Sequence, residues 1–339
     1  MRTPVLATIL LACACSGPKD PTATASTGPV QTSASQPSGG EPALASGDPK
    51  PTSSQSATGP KRIDAGPLPG RLDCLRQAQG ILLIGHRGGP TRDYPENAIE
   101  TLERTFKAGT HGMEIDIAQT RDGVLALMHD DDLERTTTGE GPVSDHTWAE
   151  ISQLKLETYS RTTDFHPPKL EDALAWAVKN GALLELDKKK SAPFEPIIAA
   201  VRAAKAENNV FIITYSDEQA IEVHKLAPDL VITASVNSAA HLDELLSKGV
   251  KADHLVAWTG TEKPDPELWQ KLSGRDIESA FGTLGPRSTS LDGKYWDDGD
   301  GAEYVALARG GLPILVTDLT DKVSRQLATE IGKAGSCGF

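Results

Sequence analysis

Residues 112–131, GMEIDIAQTRDGVLALMHDD, carry Glu114 and Asp116 two positions apart and a histidine, His129, further on. The stretch opens as an alternating strand, in which successive side chains point to opposite faces. Both carboxylates therefore share one face, and Met113, Ile115 and Ile117 share the other. Asp122-Gly123 is a strong hairpin signal, and the chain returns through Val124–Met128 to His129-Asp130. A turn centred on Asp122-Gly123 pairs residues whose numbers sum to about 245, which sets His129 opposite Asp116. Acids converging with an imidazole at a strand end can hold a hard cation and move a proton.

The elements that must position these groups are legible as an alternation. Apolar strand candidates are Ile81–His86, Gly112–Ala118, Ala182–Asp187, Val210–Tyr215, Leu230–Ser235, His254–Trp258, Ile277–Leu284 and Pro313–Asp318, with Val124–His129 as a hairpin arm. Helical stretches separate them. Asn97–Lys107 places Ala98, Leu102 and Phe106 at helical spacing before Gly109, and Glu171–Val178 ends at Asn180-Gly181. Ser216 is an N-cap for Asp217–Leu226, and a last helix spans Asp321–Ala334. Eight strands alternating with helices imply parallel pairing and a (β/α)8 TIM-type barrel. Residues 131–169 break this rhythm, with one short helix at Thr147–Leu154, and read as a small cap inserted after the second strand's hairpin.

Barrel chemistry collects at the C-terminal ends of the strands. Those ends carry His86-Arg87, Glu114 and Asp116, Glu185, Asp187 and Lys189, Tyr215-Ser216, Trp258-Thr259 and Thr317-Asp318, and His129 joins them through the hairpin. An aliphatic opposite face turns the acids into the barrel, where unpaired charge is costly unless it binds a metal. An all-oxygen set suits Ca²⁺ or Mg²⁺, and zinc would more often recruit cysteine. Arg87 and Lys189 suit a phosphate, and two histidines flanking one phosphorus can serve as general acid and general base. His111, His146, His166, His224, His241 and His254 fall on helices, loops or strand starts and receive no role. No glycine-rich stretch has the strand–GxGxxG–helix setting of a dinucleotide site, and GxSxG is absent.

The flanks set the compartment. MRTPVLATILLACAC has an early Arg, a short apolar run and Leu10-Leu11-Ala12-Cys13, a secretory leader (1–15) with a lipobox whose Cys13 would be lipidated. Residues 16–70, rich in Ser, Thr, Pro, Gly and Ala, cannot bury enough apolar surface to order and read as a tether to a body over 71–339. The expected location is the outer side of a bacterial cell envelope, with membrane contact through the lipid anchor only. Cys74 and Cys337 sit near the two ends of the body and would close as a disulfide in an oxidising compartment. A net charge of −13 without basic clusters argues against nucleic acid as a partner.

HRGGPTRDYPENAIET, MEIDIAQTRDGVLALMHDDDLERTTTGEG, PPKLEDAL, LLELDKK and GLPILVTD, in this order, resemble the glycerophosphodiester phosphodiesterases. The resemblance implies a TIM-type barrel, one divalent metal, and hydrolysis of glycerophosphodiesters to glycerol 3-phosphate and an alcohol. It implies that His86 and His129 are the catalytic pair, that Arg87 binds phosphate and that Glu114 and Asp116 are metal ligands. Laying Glu185-Leu-Asp187-Lys-Lys189 on the family's Asn-Ile-Glu-Ile-Lys strand makes Asp187 the third ligand and Lys189 the lysine; a shifted fit would make Glu185 the ligand. Glu96 matches an acid that orders the first loop. The chain departs from the family at Phe281-Gly282-Thr283-Leu284, where Trp-Thr-Val-Asn is usual, on the leaving-group side. Rival readings are a lysophospholipase D or sphingomyelinase D type of phosphodiesterase acting on a lysolipid, and a catalytically dead surface binding module.

Overall fold

In the computed structural model, residues 66–339 apart from Ser160 are described; the leader, Cys13 and nearly all of the tether lie outside them. The strands are β1 (Leu82–Gly85), β2 (Gly112–Gln119), β3 (Leu125–Leu127), β4 (Leu183–Lys188), β5 (Val210–Ile213), β6 (Val231–Ser235), β7 (Leu255–Trp258), β8 (Glu278–Gly282) and β9 (Ile314–Thr317). All but β3 pair in parallel in the order β1-β2-β4-β5-β6-β7-β8-β9, and β9 returns to β1, so the eight close into a barrel. β3 lies antiparallel on β2 as the hairpin arm. All eight expected barrel strands are present.

The helices are α1 (Leu68–Gln77), α2 (Ile99–Lys107), α3 (Trp148–Ile151, in the inserted segment), α4 (Leu170–Asn180), α5 (Phe194–Ala204), α6 (Asp217–Leu226), α7 (Ala239–Ser247), α8 (Pro266–Ser273), α9 (Leu291–Tyr295), α10 (Ala302–Arg309), α11 (Thr320–Gln326) and α12 (Ala328–Ser336). Ser216 caps α6 by accepting from Gln219 N–H, and Gly181 ends α4 with φ +71°. The single helix expected over Asp321–Ala334 is two, because the backbone leaves helical geometry at Leu327. Leu327 is buried with Val323 and Leu315, so the break lets both halves pack on the barrel.

Alternation along the strands makes two cores. One face of each strand meets the helices: Ile115 and Ile117, Leu184 and Leu186, Val210 and Ile212 pack with Leu170, Ile197, Val201 and Val223. The other fills the barrel, where Leu82, Ile84, Leu183, Phe211, Val231, Val256, Ala280 and Ile314 meet. α1 covers the N-terminal end of the barrel. Leu68 N–H donates to Asn208 Oδ1, and Arg76 pairs with Glu278 at the start of β8. Cys74 of α1 is bonded to Cys337, with 5.6 Å between their Cα atoms.

The hairpin register differs from the expected one. Ile117 faces Leu127, Ala118 faces Ala126 and Gln119 faces Leu125, so paired numbers sum to 244 and Met128, not His129, donates its N–H to Asp116 O. The cause is a three-residue loop: Thr120 N–H donates to Val124 O across Arg121-Asp122-Gly123, and Gly123 has φ +84°. Met128 turns its side chain into a small core with Ala118, Leu133, Val143 and Ile151, which holds the inserted segment on the barrel. A bend at His129-Asp130 then frees His129 from the ladder.

Candidate active site

Registry places the acids. Glu114 pairs with Glu185 and Asp116 with Asp187 across β2 and β4, so all four carboxylates point into the barrel in two layers at its C-terminal mouth. Glu114, Asp116 and Asp187 each present an oxygen within 4.8 Å of the others, and all three are buried. Lys189 Nζ lies 2.5 Å from Asp116 Oδ1 and 2.6 Å from Asp187 Oδ2, bridging the upper layer. Burial opposes its charge, but the two aspartates outweigh this and hold the ammonium above its ordinary range. Tyr215 donates its hydroxyl to Asp187 Oδ2 at 2.8 Å.

One ammonium does not neutralise this many buried carboxylates. Burial first, then the charges of Asp116 and Asp187, push Glu114 well above the usual carboxylate range. Burial and then Asp187 push Glu185 up to about 8. Burial also opposes ionisation of Asp116, yet Lys189 and the Asn97 amide hold it low. Asp187 Oδ1 is buried without a hydrogen-bond partner. An oxygen-only triad with an unpartnered buried oxygen and excess negative charge fits a hard divalent cation. Glu185 shares the deeper layer with Glu114 but stands outside the triad.

β1 ends in a tight turn that positions His86 and Arg87. Arg87 adopts φ +52°, a left-handed conformation costing a non-glycine residue about 1–2 kcal/mol. What holds it is visible: its N–H donates to Glu114 Oε2 at 2.7 Å, and its carbonyl accepts from Asn97 N–H. Gly88 and Gly89 continue the turn with positive φ, and a Cβ on either would lie 2.8 Å from Leu102 Cδ2 or Thr105 Oγ1. Asn97 also clamps Asp116, donating from Nδ2 to Oδ2 and accepting the Asp116 N–H at Oδ1.

Each histidine is anchored through Nδ1 on an aspartate. His86 Nδ1 lies 2.7 Å from Asp318 Oδ1, and His129 Nδ1 lies 2.5 Å from Asp130 Oδ1. Burial opposes ionisation of both aspartates, but their histidines, with Gly285 N–H for Asp318 and Arg135 for Asp130, hold both carboxyls low. A carboxylate only accepts, so each Nδ1 carries a proton and each Nε2 faces the site. His86 Nε2 sits 3.9 Å from Glu114 Oε2. His129 Nε2 accepts from Arg87 Nη2 at 2.7 Å, and Arg87 Nη1 donates to Glu96.

The structure thus brings His86, Arg87, Glu114, Asp116, His129, Asp187 and Lys189 to one mouth. Asp318, Asp130, Asn97 and Arg135 were not foreseen in these roles. Closure of β9 on β1 was the signal that could have found Asp318; nothing in the spacing marks Arg135. A cavity of about 290 Å³ opens beside the acids on the His86 side, lined by Glu185, Ile213, Thr233, Trp258 and Leu284. Gly282 makes room for the Trp258 ring that lines it, since a Cβ there would lie 2.8 Å from that ring. A larger cleft of about 620 Å³, near Arg76, Ser279 and Arg309 at the opposite end, carries none of these residues.

Residues 86–274, more than half of the chain, match the Glycerophosphoryl diester phosphodiesterase family. The uncharacterized protein YqiK of Bacillus subtilis is 31% identical over 45% of this chain and 67% of its own length. A glycerophosphodiester phosphodiesterase of Caldanaerobacter subterraneus is 30% identical over 44% of this chain and 65% of its own. The matches therefore span about two thirds of these relatives. The crystal structure of a glycerophosphoryl diester phosphodiesterase from Parabacteroides distasonis superposes with a TM-score of 0.65 at 29% identity, covering 76% of this chain and 92% of that one. By profile, sequence and fold, the chain belongs to the glycerophosphoryl diester phosphodiesterase family of phosphoric diester hydrolases.

Proposed function

We propose that the chain hydrolyses a glycerophosphodiester to glycerol 3-phosphate and an alcohol, with Glu114, Asp116 and Asp187 holding one divalent cation, Ca²⁺ or Mg²⁺. The observation that carries this reading is the pair of aspartate-anchored histidines, each offering Nε2 beside a three-carboxylate cluster. The bound cation would neutralise charge on a non-bridging phosphate oxygen as phosphorus becomes five-coordinate. The phosphate's oxyanion competes for the Arg87 guanidinium and draws it from His129 Nε2, freeing that lone pair. One histidine then takes a proton at Nε2 from the attacking hydroxyl: water's, which gives glycerol 3-phosphate directly, or glycerol's own, which gives a cyclic phosphate that water then opens with the two histidines' roles exchanged. The other, entering the step as an imidazolium, delivers its Nε2 proton to the leaving oxygen. Asp318 and Asp130 stabilise the imidazolium through Nδ1, and Lys189 adds positive charge beside the phosphate.

The test is turnover of glycerophosphocholine by the full chain with Ca²⁺, Mg²⁺ or EDTA. Cation-dependent release of glycerol 3-phosphate that is lost in His129→Ala and Asp116→Ala is expected. No turnover by folded, cation-loaded protein refutes the reading. We further propose that the chain works at a bacterial cell envelope, held by a lipid on Cys13. Labelled palmitate should enter the full-length protein in cells and be lost in Cys13→Ser; equal labelling of both removes the anchor. Among the described residues no helix is long and apolar enough to cross a membrane.

A further inference from the structure

We propose that Arg135, in the inserted segment, is a positioning residue of this centre: it closes a ring of five side chains that fixes His129 and Arg87 together. The proposal deepens the hydrolase reading above and takes its kinetic consequences from it.

The ring runs through both oxygens of two carboxylates. Arg135 donates from Nε to Asp130 Oδ2 at 2.5 Å and from Nη2 to Asp130 Oδ1 at 2.9 Å. It also donates from Nη1 and Nη2 to Glu96 Oε2 and Oε1 at 2.9 and 2.8 Å. Glu96 in turn accepts from Arg87 Nη1 at 3.2 Å on each oxygen. Arg87 Nη2 reaches His129 Nε2 at 2.7 Å, and His129 Nδ1 returns to Asp130 Oδ1 at 2.5 Å. Two cations and two anions alternate around a neutral imidazole. Glu96 is buried, and against that burial Arg135 and Arg87 hold its carboxyl below the usual range.

Arg135 contacts the two carboxylates and none of the three acids of the cation cluster. Its reach is set from behind. Leu133 is buried with Met128, Val143 and Ile151, Thr136 Oγ1 contacts Met128 Sδ, and Thr137 donates to Leu133 O. The inserted segment therefore presses one guanidinium onto the partner of the catalytic histidine. The planar fork is what the geometry needs, because an ammonium is a point charge and cannot grip two carboxylates bidentately. Without the clamp, Asp130 is free to turn from His129 Nδ1, and Glu96 from Arg87. A misplacement of about 1 Å at such a centre costs on the order of 10²-fold in rate.

The test compares the full chain with Arg135→Gln and Arg135→Lys. Imidazole ¹⁵N NMR reads the tautomers. The wild type should show His129 protonated at Nδ1. Both variants should show His129 as a mixture of tautomers, with His86, held by Asp318 on the other side, unchanged. On glycerophosphocholine, kcat should fall roughly 10²-fold in Arg135→Gln with KM within about threefold, and Arg135→Lys should not restore it. A folded variant with the wild-type His129 tautomer and kcat overturns the proposal. So does a loss that moves His86 and His129 alike, since that is general destabilisation. If Arg135→Gln does not fold, Arg135→Lys decides by the same two signals. If the wild type turns over no glycerophosphodiester, the hydrolase reading fails by itself and the NMR comparison still decides the role of Arg135.

Discussion

Replacing Glu185 by Gln separates a buried neutral acid from a metal ligand. Glu185 is 3% exposed, and its carboxyl is pushed up to about 8 by burial and then by Asp187. In the unfolded chain the same group titrates near an ordinary 4.3. Between these two values the folded protein holds a proton that the unfolded chain has released, so stability falls as pH rises. The slope is about 1.4 kcal/mol per pH unit, reaching on the order of 4 kcal/mol by pH 8. Gln is nearly isosteric with the protonated acid and does not titrate. Urea unfolding in EDTA should therefore find Glu185→Gln and wild type alike near pH 5, and the variant progressively more stable towards pH 8 and above. Calorimetric titration with Ca²⁺ or Mg²⁺ should find cation affinity retained in Glu185→Gln and lost in Asp187→Asn. Loss of cation binding in Glu185→Gln, with the pH slope of the wild type, would refute this assignment and make Glu185 the ligand.

Asp318→Asn should lower kcat roughly 10- to 100-fold with little change in cation affinity, because it removes a charge-assisted bond worth about 1.5–3 kcal/mol from His86 Nδ1; unchanged kcat would show that His86 needs no anchor. His86→Ala or His129→Ala should each cost roughly 10²–10⁴-fold in kcat without changing the thermal midpoint much. Lys189→Met should bind a divalent cation at least as tightly as wild type, since one competing charge leaves Asp116 and Asp187, while kcat/KM falls; weaker cation binding contradicts the bridging role. Cys74→Ser with Cys337→Ser should lower stability by roughly 3–5 kcal/mol in urea, in the chain-entropy view of a long closed loop, and leave kcat unchanged.

The barrel was legible because each strand is an apolar run between helical stretches, and a closed eight-stranded sheet is the solution for that alternation. Glu114, Asp116, Asp187 and Lys189 were legible for the same reason, since period-two alternation alone decides that they face inward. Groups set by loops were not. The hairpin register turned on whether Arg121 belongs to the loop, and one residue there moves every pairing. The break at Leu327 follows from packing rather than from any Gly or Pro. Arg135 reaches Asp130 through the fold of an irregular segment, which has no period to read. Asp318 needed only the closure of the barrel, and so lay just beyond what spacing shows.

The bond between Cys74 and Cys337 turns most of the domain into a covalent loop. His86 and His129 lie on one side of the exposed Tyr159, and Asp187, Lys189 and Asp318 on the other. A protease that cuts once at Tyr159 would divide these residues between two peptides, yet the peptides would stay joined at the far end of the barrel. The nicked molecule would run as one band until reduced, and its halves could separate and re-dock without ever becoming strangers in solution.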